Sequence, residues 1–408
     1  MLSNNEETYI QLFKDLIDPL FEKISPRNLI RDALRGRDFS KYKRIFVIGA
    51  GKASVVMAKS VENYFNALEQ GHIIYPDNQN KLCLKKITAT AASHPLPNEK
   101  GIEGSRKIMK IADKAQAGDL VISLISGGGS ALMPLPVEGL ELNEKIDLSK
   151  QLIRSGATIN EINVVRKHVS KIKGGYLARA VYPADCLNLV ISDVVGDDLS
   201  TIASGPLSPD PSSREDAKEI LDKYNIDLPD VMKETPKPGD ECFTKVETKI
   251  LANHETSALA AFDLLEDVDK EIIDTNLEGN VKEVVEKILG DCTIKHKIYI
   301  YSGETTVEVK GDGYGGRNQE FVLLALKEMR DMRKNFVIMS LATDGVDGFC
   351  PEDVAGAVVG PSTIKKNPEI DKYLDNNDSY SYFKSVGGLI RTGSTGNNLG
   401  DLMLVVLI

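Results

Sequence analysis

Apolar residues recur along this chain in two rhythms. Within residues 6–35, Leu12, Ile17, Leu20 and Phe21, and then Leu29, Ile30 and Leu34, return at three- and four-residue spacings, the period that gives a helix one apolar stripe. Pro26 interrupts the run, so the pattern predicts two helices. Beyond them, short apolar runs alternate with amphipathic stretches: strand 44–49, helix 52–68, strand 86–91, helix 98–114, strand 119–125, helices within 143–180 and strand 187–192. "DLVISLIS" (119–126) and "CLNLVIS" (186–192) are apolar without alternation, as strands covered on both faces are. The first half therefore reads as α/β, a doubly wound parallel sheet.

The rhythm lapses between Leu228 and Cys242, where Pro229, Pro236, Pro238 and Gly239 crowd together. That segment predicts a linker over 229–241 between a domain of residues 1–236 and a smaller one of residues 242–408. The second half resumes with strand 249–252, helix 255–266, strand 271–274, helix 279–289, strand 297–301, helix 317–330, strand 335–340 and a closing strand 402–408. Around "KIYIYSGETTVEVKG" the threonine-rich turns predict a hairpin, hence a mixed sheet in a second α/β domain. No internal repeat or low-complexity segment breaks the 408 residues.

Bulk composition narrows the class. With 42% hydrophobic and 27% charged residues the chain is globular. Its formal charge of −10 argues against a general nucleic-acid or acidic-membrane binder, while leaving room for a local basic pocket. Five scattered cysteines without a Cys-x-x-Cys pair suggest reduced thiols, and five dispersed histidines offer no zinc pattern. The acidic, polar "MLSNNEETYI" is unlike a signal peptide, and the longest apolar run, "LMLVVLI", is too short to span a membrane. The expectation is a cytoplasmic protein acting on small molecules.

Candidate chemistry sits where strands end. "RIFVIGAG" runs into Lys52 and a helix-forming stretch. A Walker A loop is excluded by the glycine spacing; a dinucleotide fingerprint lacks its third glycine, since position 54 is serine, although Asp77 could serve as the acidic partner. Gly49, Gly51 and Lys52 can instead form an anion site from backbone amides and one ammonium; a tight turn with a solvated lysine is the bland alternative. "SGGGS" (126–130) places Gly127, Gly128 and Gly129 between Ser126 and Ser130, an entropically costly choice unless bare amides must close on oxygens. "SDVVGDDLSTIASGP" (192–206) puts Asp193 at a strand end, with Asp197, Asp198, Ser204 and Gly205 following. Asp193 could cap a helix, or it could accept a hydroxyl proton or, with Asp197, hold magnesium. Downstream, Arg317 follows Gly315 and Gly316 and opens a helix, so its fork would project beside free amides toward a carboxylate or phosphate.

Taken together these segments resemble one family, the class II glycerate kinases, also called the MOFRL or glycerate 2-kinase family. The resemblance rests on "VIGAGKAS", "SHPLPNEKG", "SGGGSALMPLP", "NVVRKHVSKIKGGYLA", "SDVVGDDLSTIASGP", "GETTVEVKG", "GGRNQE", "TDGVDG" and "TGSTGNNLGDL", in unchanged order over nearly the whole chain. It implies a Rossmann-like first domain and a MOFRL second domain facing a cleft, and transfer of the γ-phosphoryl of ATP, with Mg²⁺, to D-glycerate. Members with "GAGKAS" are expected to make 2-phosphoglycerate, as monomers or homodimers. By motif, Lys52 and Arg317 resemble the catalytic cations and Asp193 lies near the reacting hydroxyl. Lys173, Glu304, Asn318 and Asp344 join the glycine and serine loops as binding residues. The chain departs from the family at Ser302, Ser394, Asn397 and Gly400. Two other functions stay open: an NAD(P)H-dependent hydroxypyruvate reductase, built on the Rossmann-like "GAGKAS", and a non-enzymatic sugar-acid-binding regulator, for which the chain shows no basic recognition helix.

Overall fold

A computed structural model describes residues 5–79 and 83–408. The chain forms two compact units: Leu29–Leu251, and Ala252–Ile408 together with the start of the chain through Asn28. Among the described residues no helix is long and apolar enough to cross a membrane.

The first unit is built on strands β1 (Ile45–Ala50), β2 (Gln70–Pro76), β3 (Ile87–Ala92), β4 (Leu120–Ser126), β5 (Asp185–Ile191) and β6 (Val246–Ala252), in the order β3-β2-β1-β4-β5-β6. The β1–β2, β2–β3, β1–β4 and β4–β5 pairs are all parallel. Every residue of β4 is buried, which explains its unbroken apolar sequence. Phe46, Ile48, Val121, Ile125 and Val190 pack with Ile108, Leu132 and Met133 into one core. Strand order reverses between β1 and β4, and in open α/β sheets ligands bind beyond the carboxyl ends of the strands at such a switch. The "GAGK" and "SGGGS" loops leave those two strand ends.

The proline-rich segment does not separate the units. Met232 enters an apolar cluster with Leu152, Val165 and Leu221, and Thr235 Oγ1 donates to buried Asp210 at 3.0 Å. The chain then returns as β6 on the edge of the same sheet. Here prolines give a docked loop its extended backbone rather than freedom, so the division falls near residue 251 and not at 229–241.

The second unit contains β7 (Lys270–Asn280), β8 (Ile298–Thr306), β9 (Phe336–Ala342), β10 (Gly356–Val359), β11 (Leu389–Ile390) and β12 (Asp401–Leu407), ordered β11-β10-β9-β12-β8-β7. β7–β8 is parallel, while β12 runs antiparallel to β8 and β9, so the sheet is mixed, as expected. The expected hairpin is absent: β8 is one strand between β7 and β12. Tyr299, Tyr301, Ile338, Met403 and Val405 face one core. The alternate residues Ile300, Val337, Met339 and Leu404 are equally buried and must point the other way. Helices Glu6–Lys23 and His254–Leu264 cover that face. The first helix buries Tyr9, Phe13, Leu16, Ile17 and Leu20, and Glu6 accepts from the Ser362 hydroxyl at 2.6 Å. Residues 5–28 therefore belong with the C-terminal unit, contrary to the 1–236 expectation, because a sheet apolar on both faces needs two layers of helix.

Candidate active site

The bend after β1 is shaped by its neighbour strand. A Cβ on Gly49 would come within 2.3 Å of the Leu124 carbonyl oxygen, and one on Gly51 (φ +140°) within 2.1 Å of Ser126 Oγ. Only glycine lets β1 and β4 approach so closely. The amides here are already used: Gly51 N donates to Ile74 O (3.1 Å), Lys52 N to Gly127 O (2.8 Å) and Ser54 N to Gly51 O (3.2 Å), and Ala53 N donates to Ser126 Oγ (3.0 Å). The expected amide cradle at Gly49 and Gly51 is therefore not formed, and the anion-binding capacity of this loop rests on the Lys52 side chain. Ser54, at the fingerprint's third-glycine position, is buried, with its hydroxyl on Gly51 O and Ile74 O.

Gly128 (φ +82°) brings Lys52 and His94 together: its Cβ position lies 2.9 Å from His94 Nε2 and 3.6 Å from Lys52 Cγ. Burial, and then the Lys52 charge, lower the His94 pKa. Next to them runs a chain of buried contacts. Lys173 Nζ donates to Ser130 O (2.7 Å) and Oγ (2.9 Å); Ser130 Oγ meets Ser204 Oγ at 3.0 Å; Ser204 Oγ donates to Asn163 Oδ1 at 3.2 Å. Gly174 N and Gly175 N close on Ser204 O and Gly205 O at 3.0 and 2.8 Å. Three separate motifs are thus tied into one wall.

On that wall opens a cavity of about 370 Å³ whose lining includes His94, Gly128, Ser130, Lys145, Arg166 and Lys173. Burial, reinforced by the neighbouring cations, pushes Lys173 well below the usual lysine range. Burial and Arg166 bring Lys145 down to about 7. A larger cleft, about 550 Å³, lies at the amino ends of β4 and β5. It holds two internal ion pairs, Arg37 with Glu247 (2.6 Å) and Lys245 with Asp185 (3.2 Å), and it faces away from the switch point, so it is the weaker candidate.

The loop after β5 carries Asp193, Asp197 and Asp198. Asp198 is a turn former, accepting from Ser200 N (2.8 Å) and Thr201 Oγ1 (2.8 Å). Asp197, Ala203 and Ser204 all adopt positive φ (54°, 52° and 60°). Such strain persists only where surrounding structure imposes it, and it clusters at functional loops. Among the described residues no group of three or more His, Cys, Asp or Glu could hold a metal ion.

In the second unit Arg317 opens the helix Arg317–Met332, but its guanidinium does not project freely. Asp401 grips it in a two-pronged pair, Nε to Oδ2 at 2.6 Å and Nη2 to Oδ1 at 3.1 Å, and Glu304 takes Nη1. Burial works against the Arg317 charge, but the Asp401 and Glu304 carboxylates outweigh it and hold the pKa above the ordinary arginine value. Desolvation raises Asp401 to about 6 against the opposing pull of Arg317. The amides thought free are capped by Asp347: Asn318 N and Gln319 N donate to its two oxygens at 2.9 and 2.8 Å. Asn318 Nδ2 bridges Asp347 (3.2 Å) and Asp401 (2.9 Å). Asp344 accepts from Val346 N at 3.0 Å in its own turn.

Sequence reasoning passed over Lys145, Arg166, His94, Asp347 and Asp401. Arg166 and His94 lay inside motifs already singled out, and the second aspartate of "TDGVDG" was the visible sign of Asp347. Asp401 lies in "TGSTGNNLGDL", a motif also singled out, just ahead of the expected strand 402–408.

An open doubly wound sheet with lysines and serines gathered at its switch point is the architecture of an α/β enzyme for small anionic substrates. Two family models match this chain: DUF4147, described as a domain of unknown function, over residues 12–235, and the MOFRL family over residues 297–401. D-glycerate 2-kinase of Thermotoga maritima is 34% identical, covering 98% of this chain and 99% of its own. An Agrobacterium vitis protein provisionally named hydroxypyruvate reductase is also 34% identical, over 99% of this chain and 95% of its own. The crystal structure of glycerate kinase from Thermotoga maritima matches with a TM-score of 0.89 at 34% identity, covering 98% of this chain and 100% of that one. The chain belongs to the MOFRL family of class II glycerate kinases.

Proposed function

We propose that this enzyme transfers the γ-phosphoryl group of ATP to the 2-hydroxyl of D-glycerate, giving 2-phospho-D-glycerate and ADP, as a cytoplasmic monomer or homodimer. The observation that carries the reading is the gathering of Lys52, His94, Gly128 and the Ser130–Lys173–Ser204 network at the switch point of the first sheet, in a chain whose full-length relative is named D-glycerate 2-kinase. Phosphoryl transfer asks a protein mainly for positioning and charge neutralisation. In this reading the glycerate oxygen attacks the γ-phosphorus, the bond to the bridging oxygen breaks, and ADP leaves. Asp193 accepts the hydroxyl proton and passes it to solvent. Lys52 meets the charge of the transferring group as a point charge. Arg317, oriented by Asp401 and Glu304, presents its remaining N–H donors to an anionic oxygen.

Mg²⁺ bound with the nucleotide would neutralise phosphate charge. The carboxylates of Asp193 and Asp197 suit it, since this ion binds through one or two carboxylates plus phosphate oxygens rather than an all-protein cage.

The deciding experiment supplies ATP, Mg²⁺ and D-glycerate and resolves the product. ATP-dependent formation of 2-phosphoglycerate supports the reading, 3-phosphoglycerate corrects the regiochemistry, and no phosphorylated acid defeats it. NADH oxidation with hydroxypyruvate, followed by absorbance, would favour the reductase instead. Against that alternative stands the bend after β1, where the amides that would face a pyrophosphate are consumed by Ile74, Gly127 and Ser126.

A further inference from the structure

The cavity beside the Lys173 network has an uneven chemistry. Lys145, Arg166 and Lys173 line its interior. Lys145 and Lys173 are buried, and their ammonium groups donate to neutral oxygens, Val169 O (2.9 Å) for Lys145 and Ser130 for Lys173. Among the described residues no carboxylate pairs with any of these three cations, and none lines the cavity. The adjacent Lys167 shows what the chain does when a buried cation is only structural: it supplies Asp210, itself wholly buried, at 3.3 Å. Burying like charges without counter-charge is costly, so the unpaired trio implies an anionic ligand. The outer wall differs. Pro95, Leu96, Pro97, Ile146 and Ile153 line it, and Leu96 and Ile153 are left 59% and 58% exposed.

A hydroxy acid such as glycerate has no use for such a wall and would fill little of about 370 Å³, a size within the ~300–1,000 Å³ typical of sites for larger small molecules. A molecule with a flat apolar ring at one end and several phosphates at the other uses both halves. We infer that this cavity is the nucleotide site, its Leu96–Ile153 mouth holding the purine and Lys145, Arg166 and Lys173 receiving the polyphosphate. Gly128, which lines the cavity and whose Cβ position would face the Lys52 stem at 3.6 Å, then marks the end toward which the terminal phosphate points. The inference rests on the kinase reading above and adds to it the division of ligands: nucleotide here, acceptor elsewhere.

The test measures binding to the full-length protein by calorimetry with ADP and, separately, inorganic tripolyphosphate, alongside the KM for D-glycerate. Arg166→Gln should weaken ADP and tripolyphosphate by roughly 10–100-fold, the cost of one charge-assisted contact, with little change in the glycerate KM. Leu96→Asp and Ile153→Asp, at exposed positions, should weaken ADP but leave tripolyphosphate nearly unchanged. Unaltered ADP affinity in Arg166→Gln and Ile153→Asp overturns the inference, as does a rise in glycerate KM with ADP binding intact. ADP binding is read without turnover. A wild-type protein that binds ADP through Arg166 yet phosphorylates no glycerate defeats the acceptor assignment and leaves the nucleotide site standing.

Discussion

Single side chains separate the two cations by geometry. Lys52 carries a compact ammonium rather than a planar fork, so Lys52→Ala should reduce kcat by ~10²–10³, as removal of one transition-state charge does, with a much smaller change in glycerate KM. Arg317 depends on its fork. Arg317→Lys keeps the charge but cannot grip both oxygens of buried Asp401, and it should lower kcat/KM while also destabilising the fold by ~1–3 kcal/mol in thermal unfolding. A silent Arg317→Lys would remove Arg317 from the mechanism. Glu320, one turn into the same helix, makes a separate prediction. Burial raises its pKa from 4.5 to about 7 against a hydrogen bond from Asn377. The native state therefore binds this proton more tightly than the unfolded chain, so its stabilising contribution is complete below pH 4.5 and is lost as pH rises through about 7. Glu320→Gln should raise Tm at pH 8, by a gain on the order of a few kcal/mol at most, and change it little at pH 4. Equal shifts at both values would show that Glu320 does not titrate in this window.

At the scale of elements, the strand-to-helix bend after β1 is set by packing against β4. Gly51→Ala combines a left-handed φ of +140° with a Cβ placed 2.1 Å from Ser126 Oγ and 2.5 Å from Ser126 O. Gly36 also has positive φ, +75°, but nothing lies within 4 Å of its Cβ position. Gly36→Ala should cost ~1 kcal/mol for conformation alone. Gly51→Ala should cost well over ~2 kcal/mol and displace Lys52, so denaturant midpoints for the two variants should differ clearly. The alternation of strands and helices was legible because burial on one or both faces leaves a period in the chain. The hairpin was misjudged because "KIYIYSGETTVEVKG" has turn-forming residues but finds its partners elsewhere, in β7 and β12. Local turn chemistry cannot reveal a partner that lies far away in sequence.

For the molecule as a whole, the placement of the first helix carries the largest consequence. Its five buried side chains are each worth roughly 1.5–3 kcal/mol on burial, together comparable with the ~5–15 kcal/mol net stability of a typical domain. A fragment of residues 252–408 alone should be aggregation-prone or molten. The same fragment joined by a flexible linker to residues 1–28 should unfold cooperatively. Equal stability of the two would refute the assignment of the helix to this unit. The division also puts Lys52 in one unit and Arg317 in the other, as the motif order along the chain already implied.

What the sequence determined by itself was the class of chain and the candidates for its chemistry. Apolar periodicity marked the α/β elements, and the motifs carried Lys52, the "SGGGS" loop, Asp193, Lys173 and Arg317. Those are properties of neighbours along the chain, where spacing of a few residues decides which face or loop a side chain occupies. Tertiary structure alone decided which groups were already satisfied. Gly51, Lys52 and Ala53 lost their amides to Ile74, Gly127 and Ser126, Arg317 was claimed by Asp401 and Glu304, and among the described residues Arg166 was left without a carboxylate while Lys167 beside it received Asp210. Hydrogen-bond and charge partners are chosen across distances in sequence that no local pattern records, because the cost of burying a polar group is settled by whatever the fold brings within about 3 Å of it.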